Sequence, residues 1–397
     1  MKADAECMLG KGRISYLHGC PKIATEEQHN VITLGDLTWS LRQANIREIK
    51  NNEMGFLPGS SDNSWKPAMP GGPTTAIGYW FNWRVLLCAI WVLASSCFAL
   101  MLVRKYEAFC SRSSGNGGRE TNRDAPGVLY NDETWTPCLK GIHPAWLLAF
   151  RVIAFFLLLG MSCVTALVDG ASIYYYYTQW TSTLVSIYFG VGSLLSAYGC
   201  YRYGHKFDSA EIDSEKANFA DPRLRNSSGM TSTNKSCAPP SQAVRETAGI
   251  FGYAFQIIFQ MNAGAVVLTD SVFWFIIVPF LAVNNYRLRF LDINMHTINV
   301  VLLLGDTALN CLRFPLFRIA YFFLWTTIYV IFQWVVHACF TIWWPYPFLD
   351  LSSPYAPLWY FSVALMHFPC YGFFALVVKL KHCLLARWFP QSYQGLR

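Results

Sequence analysis

Seven predominantly apolar stretches of 17 to 21 residues alternate with polar and charged connections along the chain. Because about 20 residues of helix cross the hydrocarbon core of a bilayer, each stretch predicts a transmembrane helix. Asp306 interrupts the fifth stretch, which is the weakest of the set. A further apolar run at 272–283 is short, and Pro279 favours an interfacial or re-entrant connector there. The predicted spans are 85–103, 152–168, 180–198, 250–268, 296–312, 319–336 and 358–378.

Composition strengthens this pattern. Of the 397 residues, 53% are hydrophobic and only 14% are charged, which excludes an ordinary soluble domain of this size. We therefore predict an all-α, polytopic transmembrane helix bundle with about seven spans. The formal charge of +7 comes from basic residues grouped between apolar runs, so no nucleic-acid site is predicted. The 13 cysteines include no CxxC pair, so neither a disulfide framework nor a metal site is indicated.

The distribution of basic residues predicts the orientation. Segments 104–151 and 199–245 carry seven Lys and Arg each, whereas the opposite side has Arg287 and Arg289 apart from the N-terminal extension. By the positive-inside rule we predict an integral membrane protein with a cytosolic C-terminus, in either an endomembrane or the plasma membrane. The potential glycosylation acceptors Asn226 and Asn234 should therefore stay unmodified. A mass shift that an endoglycosidase removes would show that the predicted orientation is wrong.

The chain also divides by composition. Residues 1–78 form a polar extension that we predict to be disordered, with Met54 as an alternative natural start. The first span at 79–103 and a cytosolic loop at 104–143 follow. A membrane bundle at 144–380 is interrupted by a disordered cytosolic loop at 206–247, and a cytosolic tail follows at 381–397.

Two ionisable residues in the fifth span suggest a buried site. Ten positions separate His296 from Asp306, about 15 Å along a helix, so His296 would lie at the outer boundary and Asp306 near the midplane. Buried polarity at two depths predicts an internal pocket. The alternative is structural: Asp306 bonds a neighbouring helix through Asn310 or a serine, and His296 is an interfacial histidine.

The third span brings candidate nucleophiles to the same boundary. Thr178 and Thr181 open this span on the side where His296 enters the membrane. A histidine near its ordinary pKa can take the proton of a threonine hydroxyl, and Asp292, four residues before His296, could fix the imidazole tautomer. The alternative is that each threonine bonds the backbone carbonyl four residues earlier, as threonines in membrane helices usually do.

Motifs in the second half of the chain resemble those of the androgen-induced protein and rolling stone superfamily. They are His-Thr opening a span, an acidic residue ten positions after the His, a later WVVH, and WPYPFLD. The stretch YTQWT is similar to a Leu-Thr segment of that family. The resemblance covers roughly 144–380 and excludes the extension and the first span. The matching residues are His296, Thr297, Asp306, 334–337 and 344–350.

For its androgen-induced branch, the resemblance implies membrane threonine hydrolases that cleave fatty acid esters of hydroxy fatty acids. The family's His corresponds to His296 and its Thr to Thr178, with Thr181 as the fallback nucleophile. The Trp at position 180 is closer to the rolling stone branch, for which no hydrolase role is implied. The resemblance thus predicts membrane lipids and a long-chain ester as partners, and no cofactor.

Two alternatives stay open from the residues. One is a non-catalytic membrane protein that acts through contacts, as in adhesion, fusion or scaffolding. The other is a haem protein, because His296, His337 and His367 lie in or near spans and facing histidines can ligate haem. A Soret band in the absorption spectrum would distinguish the haem protein.

Overall fold

The computed structural model describes residues 73–115, 127–219, 246–279 and 290–394. Most of the extension, Met54, Asn226, Asn234, Arg287 and Arg289 lie outside the described residues, so the predictions made for them stay predictions. Seven long helices occur in the described part of the chain. They are α1 (Trp83–Gly115), α2 (Pro144–Asp169), α3 (Tyr177–Phe219), α4 (Ile250–Val272), α5 (Phe290–Leu309), α6 (Ile319–Cys339) and α7 (Ala356–Trp388).

Consecutive helices run in opposite directions between two ends of the bundle. We name them the Thr178 end, where α3 begins, and the Arg318 end, where α6 begins. At the Thr178 end, the loop after α6 meets the segment before α1, where the Tyr79 hydroxyl donates to Asp350. At the Arg318 end, Pro137 pairs with Asn310 in an isolated antiparallel bridge. The predicted all-α polytopic membrane bundle is confirmed.

Six of these helices are long and apolar enough to cross a membrane within the described residues. Helix α5, which we predicted as the weakest of seven spans because Asp306 interrupts it, is not among the six. It nevertheless runs the full height of the bundle, because His296 contacts the Thr178 end and Asn310 contacts the Arg318 end. Four of its polar side chains face inward, and so does Asn310 directly after it: His296, Asn299, Asp306, Thr307 and Asn310 are all buried, whereas Thr297 is exposed. Neighbouring helices therefore shield a polarity that lipid would not tolerate.

The other helices place apolar side chains outward and small residues where they meet. Leu167 and Phe251 are among the exposed large hydrophobic residues, which suits a surface in contact with lipid. Gly264 of α4 lies directly against the ring of Phe322 of α6, and a Cβ at this position would collide with that ring. Close helix contacts at small residues are typical of membrane bundles, where dispersion forces rather than hydrophobic burial hold the helices together.

Several helices extend beyond the predicted spans. The fourth span was predicted to end at Leu268, and the helix continues past it through a π-helical turn at Phe273–Ile277 into the region predicted as a connector. Helix α3 extends to Phe219, so the loop predicted at 206–247 begins as helix. Arg151, which we counted among the basic residues that predict the cytosolic side, lies inside α2 and is fully buried. Apolar runs locate helices but underestimate their length, since polar residues inside a bundle also adopt helix.

Candidate functional site

The start of α3 is held in place by a turn that glycine makes possible. Gly170 ends α2 with a φ of 75°, a conformation that residues with a Cβ rarely adopt. A 3-10 turn at Ala171–Tyr175 follows, and its last carbonyl, that of Tyr175, accepts from Tyr329 Oη at 2.8 Å and from Gln333 Nε2 at 2.6 Å. Two bonds from α6 thus fix the backbone just before Thr178.

Thr178 lies in the first turn of α3 and directs its hydroxyl toward other elements. Its Oγ1 is 3.5 Å from His296 Nε2 and 3.4 Å from the Tyr346 hydroxyl. Helix α3 has not yet formed four residues before Thr178, so the usual intrahelical carbonyl acceptor is not in position. The hydroxyl is therefore available to a base.

His296 joins α5 to α3 and α4. Its Nδ1 is 3.2 Å from Asp270 Oδ1, and its imidazole stacks on the Phe273 ring with centroids 3.8 Å apart and an interplanar angle of 8°. Asp270 lies near the end of α4, and Phe273 opens the π-helical turn that follows. Such turns recur at functional sites because they reorient neighbouring side chains within a continuous helix. Here the turn places a flat apolar wall against the imidazole.

Tyr346 completes the site from the loop between α6 and α7. The backbone N–H of Thr178 donates to the Tyr346 oxygen at 3.5 Å, so the phenolic proton can point to Thr178 Oγ1. Burial raises the pKa of Tyr346, which keeps that proton in place. The first turn of α1 and the segment before it hold the same loop, because Arg84 donates to the carbonyl of Ser352 at 2.6 Å and Tyr79 donates to Asp350.

These contacts form a directional series of hydrogen bonds. A carboxylate at Nδ1 favours the tautomer with the proton on that nitrogen, which leaves Nε2 as an acceptor. The Thr178 hydroxyl can then donate to His296 while accepting from Tyr346. The first turn of α3 also carries the positive end of the helix dipole, which favours negative charge near Thr178. The arrangement can thus remove a proton from a threonine hydroxyl.

The structure brings together Thr178 and His296, two of the predicted site residues. Thr181 is 1% exposed, and its hydroxyl donates to the carbonyl of Tyr177 at 3.1 Å. This is the bond to the carbonyl four residues earlier that threonines in membrane helices usually form. Asp292 lies in the first turn of α5, one turn before His296, but the carboxylate at 3.2 Å from Nδ1 belongs to Asp270. The predicted orienting residue is therefore replaced by one from another helix.

Sequence reasoning missed Asp270 and Tyr346. Asp270 lies two residues beyond the fourth apolar run, and an acid inside a lengthened helix was the available signal. Tyr346 is part of WPYPFLD, a motif that we used for family resemblance without assigning a role to its tyrosine.

Asp306 belongs to a different cluster, as the structural alternative anticipated. It forms an ion pair with Arg151 Nε at 2.7 Å, and both side chains are completely buried. Asn310 Nδ2 donates to it at 2.7 Å, and the Tyr188 hydroxyl donates to the same carboxylate oxygen. His296 and Asp306, which we predicted to share an internal pocket, have separate partners. His296 contacts Thr178 and Asp270, whereas Asp306 contacts Arg151, Asn310 and Tyr188.

The other two histidines of the haem alternative, His337 and His367, also contact protein groups. His337 stacks on Trp344, with centroids 3.6 Å apart. His367 Nε2 lies 2.9 Å from Thr326 Oγ1, and its Nδ1 donates to the carbonyl of Val363 at 2.8 Å. Thr326 and His367 line a cavity of about 50 Å³ between α1, α6 and α7. This second Thr–His pair lies on different helices from the Thr178 site.

Within the described ranges, no group of three or more His, Cys, Asp and Glu side chains is arranged to hold a metal ion. Comparison of the chain with family models, with characterised proteins and with solved structures gave no match. The resemblance based on motifs therefore remains a prediction. The chain is a multi-pass membrane protein on the strength of its six apolar helices.

Proposed function

We propose that this membrane protein is a threonine hydrolase of long-chain lipid esters. The observation that carries the proposal is the meeting of Thr178, His296 and Asp270 from three helices. Their contacts follow the order nucleophile, base and orienting carboxylate, with 3.5 Å and 3.2 Å between successive groups. Catalytic hydrogen bonds are often this long without substrate and shorten in the reacting complex.

The chemistry follows from these contacts. Thr178 Oγ1 attacks the acyl carbonyl while His296 Nε2 takes its proton, and Asp270 stabilises the resulting imidazolium. His296 then returns the proton to the departing alcohol, which leaves the acyl group esterified to Thr178. Water, deprotonated by His296, releases the fatty acid and restores the threonine. Tyr346 is the hydroxyl donor nearest to the nucleophile and is suited to stabilising charge on the carbonyl oxygen.

A lipid substrate suits the position of this site. Thr178 opens a membrane helix, so the site lies at one end of a bundle whose outer surface is apolar. A long acyl chain can stay in the bilayer while its ester reaches the boundary. The proposed class includes the fatty acid esters of hydroxy fatty acids implied by the family resemblance.

A fluorophosphonate with a long alkyl chain tests the proposal on protein purified in detergent. We expect covalent labelling of Thr178, together with hydrolysis of a long-chain ester. Thr178→Ala and His296→Ala should each lower the hydrolysis rate by about 10²-fold or more, and the double variant should be little worse than either. Thr178→Ser should retain partial activity because the hydroxyl remains.

The second Thr–His pair provides a matched control for His296. His367→Ala removes an imidazole 2.9 Å from a threonine hydroxyl outside the proposed site, whereas Thr326 also contacts the hydroxyl of Tyr177, next to Thr178, and is left unchanged. The variant should keep activity if it elutes as folded protein. Activity that survives in Thr178→Ala, or a wild-type protein that neither labels nor turns over ester, would refute the proposal in favour of a non-catalytic role.

A further inference from the structure

Two buried cysteines meet at the Arg318 end, far along the chain from each other. Cys138 lies in the segment between α1 and α2, and Cys311 directly follows α5. The backbone N–H of Cys138 donates to the carbonyl of Leu309 at 3.0 Å, beside the Pro137–Asn310 bridge. The Cys138 thiol also contacts the carbonyl of Asn310, the residue directly before Cys311. The backbone pairing and this contact thus hold Cys138 beside Cys311.

Cationic and polar groups surround Cys138. Lys381 Nζ donates to the carbonyl of Asn310 at 3.0 Å, the same oxygen that the Cys138 thiol contacts, and His382 is adjacent on α7. His382 Nδ1 is also 2.8 Å from the Tyr393 hydroxyl, which fixes the ring. A structural cysteine usually has apolar neighbours, whereas a reactive one has cations and hydrogen-bond donors. The surroundings of Cys138 are of the second kind.

These neighbours favour the thiolate of Cys138. The hydrogen bond from Cys311, followed by the contacts with His382 and Lys381, lowers the pKa of Cys138 against the opposing effect of burial. The same pairing raises the pKa of Cys311, which keeps its proton. As a thiol, Cys138 donates to the carbonyl of Asn310 at 2.8 Å. Lys381 Nζ donates to that carbonyl at 3.0 Å, so the oxygen keeps a partner when Cys138 ionises.

We propose that Cys138 and Cys311 form a peroxide-sensitive dithiol that closes to an intrachain disulfide. The Cys138 thiolate attacks one oxygen of a peroxide, the O–O bond breaks, and the sulfur becomes a sulfenic acid while the other oxygen leaves as hydroxide or alkoxide. Cys311 then attacks that sulfur, expels water and completes the S–S bond. Two electrons pass from the dithiol to the peroxide. A small-molecule thiol reverses the reaction by exchange.

The disulfide would connect the α1–α2 segment to the connection between α5 and α6. Asn310 lies between Cys311 and the end of α5 and donates to Asp306, so the bond would form next to the buried ion-pair cluster. The proposal is independent of the hydrolase reaction because these cysteines lie at the opposite end of the bundle from Thr178.

The test uses the full chain, reduced, freed of reductant and exposed to hydrogen peroxide. The protein is then denatured, its free thiols are alkylated with N-ethylmaleimide, and it is digested with trypsin. We expect peptides 124–140 and 290–313 joined by a disulfide that dithiothreitol reduces. Cys163, which is exposed on α2, should stay reduced at the same peroxide concentration and be recovered in its alkylated form. Recovery of both Cys138 and Cys311 as alkylated thiols, or oxidation of Cys138 beyond sulfenic acid without cross-linking, would overturn the proposal.

Single substitutions separate the roles of the two sulfurs. Cys311→Ser should leave Cys138 as a sulfenic acid that dimedone traps, whereas Cys138→Ser should leave Cys311 unoxidised. Lys381→Met should slow formation of the disulfide severalfold, and Lys379→Met, which removes an exposed lysine of the same helix, should not. Equal oxidation rates in both lysine variants would contradict the assigned role of Lys381.

Discussion

Two polar clusters within the same bundle differ in how completely their groups are paired. Asp306 accepts from Arg151 Nε at 2.7 Å, from Asn310 at 2.7 Å and from the Tyr188 hydroxyl. At the Thr178 end, the contacts of His296 are 3.2 Å and 3.5 Å long. Among the described residues, no hydrogen-bond partner reaches the buried Oδ2 of Asp270.

This difference distinguishes a structural cluster from a reactive one. A carboxylate with short bonds to several donors is already stabilised, so it has little capacity left for a substrate. Buried groups with incomplete pairing are uncommon in native proteins and recur at catalytic sites. Both clusters contain a carboxylate beside a nitrogen base in a membrane bundle, and composition alone does not show which one is reactive. Their hydrogen bonds do.

The largest effect is expected when the paired cluster is broken. Arg151→Ala leaves Asp306 without its cation in a fully buried position, which should cost about 3–5 kcal/mol of unfolding free energy. We expect a lower thermal transition in detergent and a poor yield of folded protein.

A compensating double variant tests the cause of that loss. Arg151→Met combined with Asp306→Leu removes both charges and should recover most of the stability that Arg151→Ala loses. If the double variant is as unstable as Arg151→Ala, packing around the guanidinium rather than the unpaired carboxylate is responsible.

The second effect concerns activity and leaves stability almost unchanged. Asp270→Asn keeps the size of the side chain but no longer stabilises an imidazolium or fixes the tautomer of His296, so ester hydrolysis should fall at least about tenfold. Thermal unfolding should move little because Asp270 is incompletely paired.

Asp292→Asn is the matched control for Asp270→Asn, since it changes the carboxylate one turn before His296 on α5. Its hydrolysis rate should stay close to that of the wild type. A larger loss in Asp292→Asn than in Asp270→Asn would restore the orienting residue expected from the sequence.

A smaller effect should follow from Tyr346→Phe. The substitution removes the hydroxyl 3.4 Å from Thr178 Oγ1 and keeps the ring, so one hydrogen bond worth about 1 kcal/mol is lost. Hydrolysis should drop about threefold to tenfold. Tyr355→Phe, an exposed tyrosine of the same connection, should show no change. Equal rates for both variants would remove Tyr346 from the site.

The smallest effect is expected for Thr181→Ala. Its hydroxyl bonds the carbonyl of Tyr177, which the helix can satisfy by itself, so hydrolysis should change by less than about twofold. A loss as large as that of Thr178→Ala would show that the nucleophile had been misassigned.

The helix bundle was predictable because lipid imposes a length and an apolar composition on each span. The proximity of Thr178 and His296 could be anticipated from depth, since both enter from the same end. Asp270 could not, because its pairing depends on how far α4 continues and on the rotation of three helices. Arg151 was misplaced for a related reason: a charge at the edge of an apolar run resembles a topology signal unless its partner on a distant helix is known.

The low apolar content of α5 has a consequence for biosynthesis. Arg151 is made 155 residues before Asp306, so α2 enters the membrane with an arginine whose counter-ion does not yet exist. Helix α5, in turn, is too polar to be retained by lipid alone and depends on α2 and α3 already being in place to receive it. We therefore expect ordered assembly, in which the early helices stay beside the insertion machinery until the fifth arrives. Chains that stall before that step would present an unpaired buried arginine, which membrane quality control can recognise.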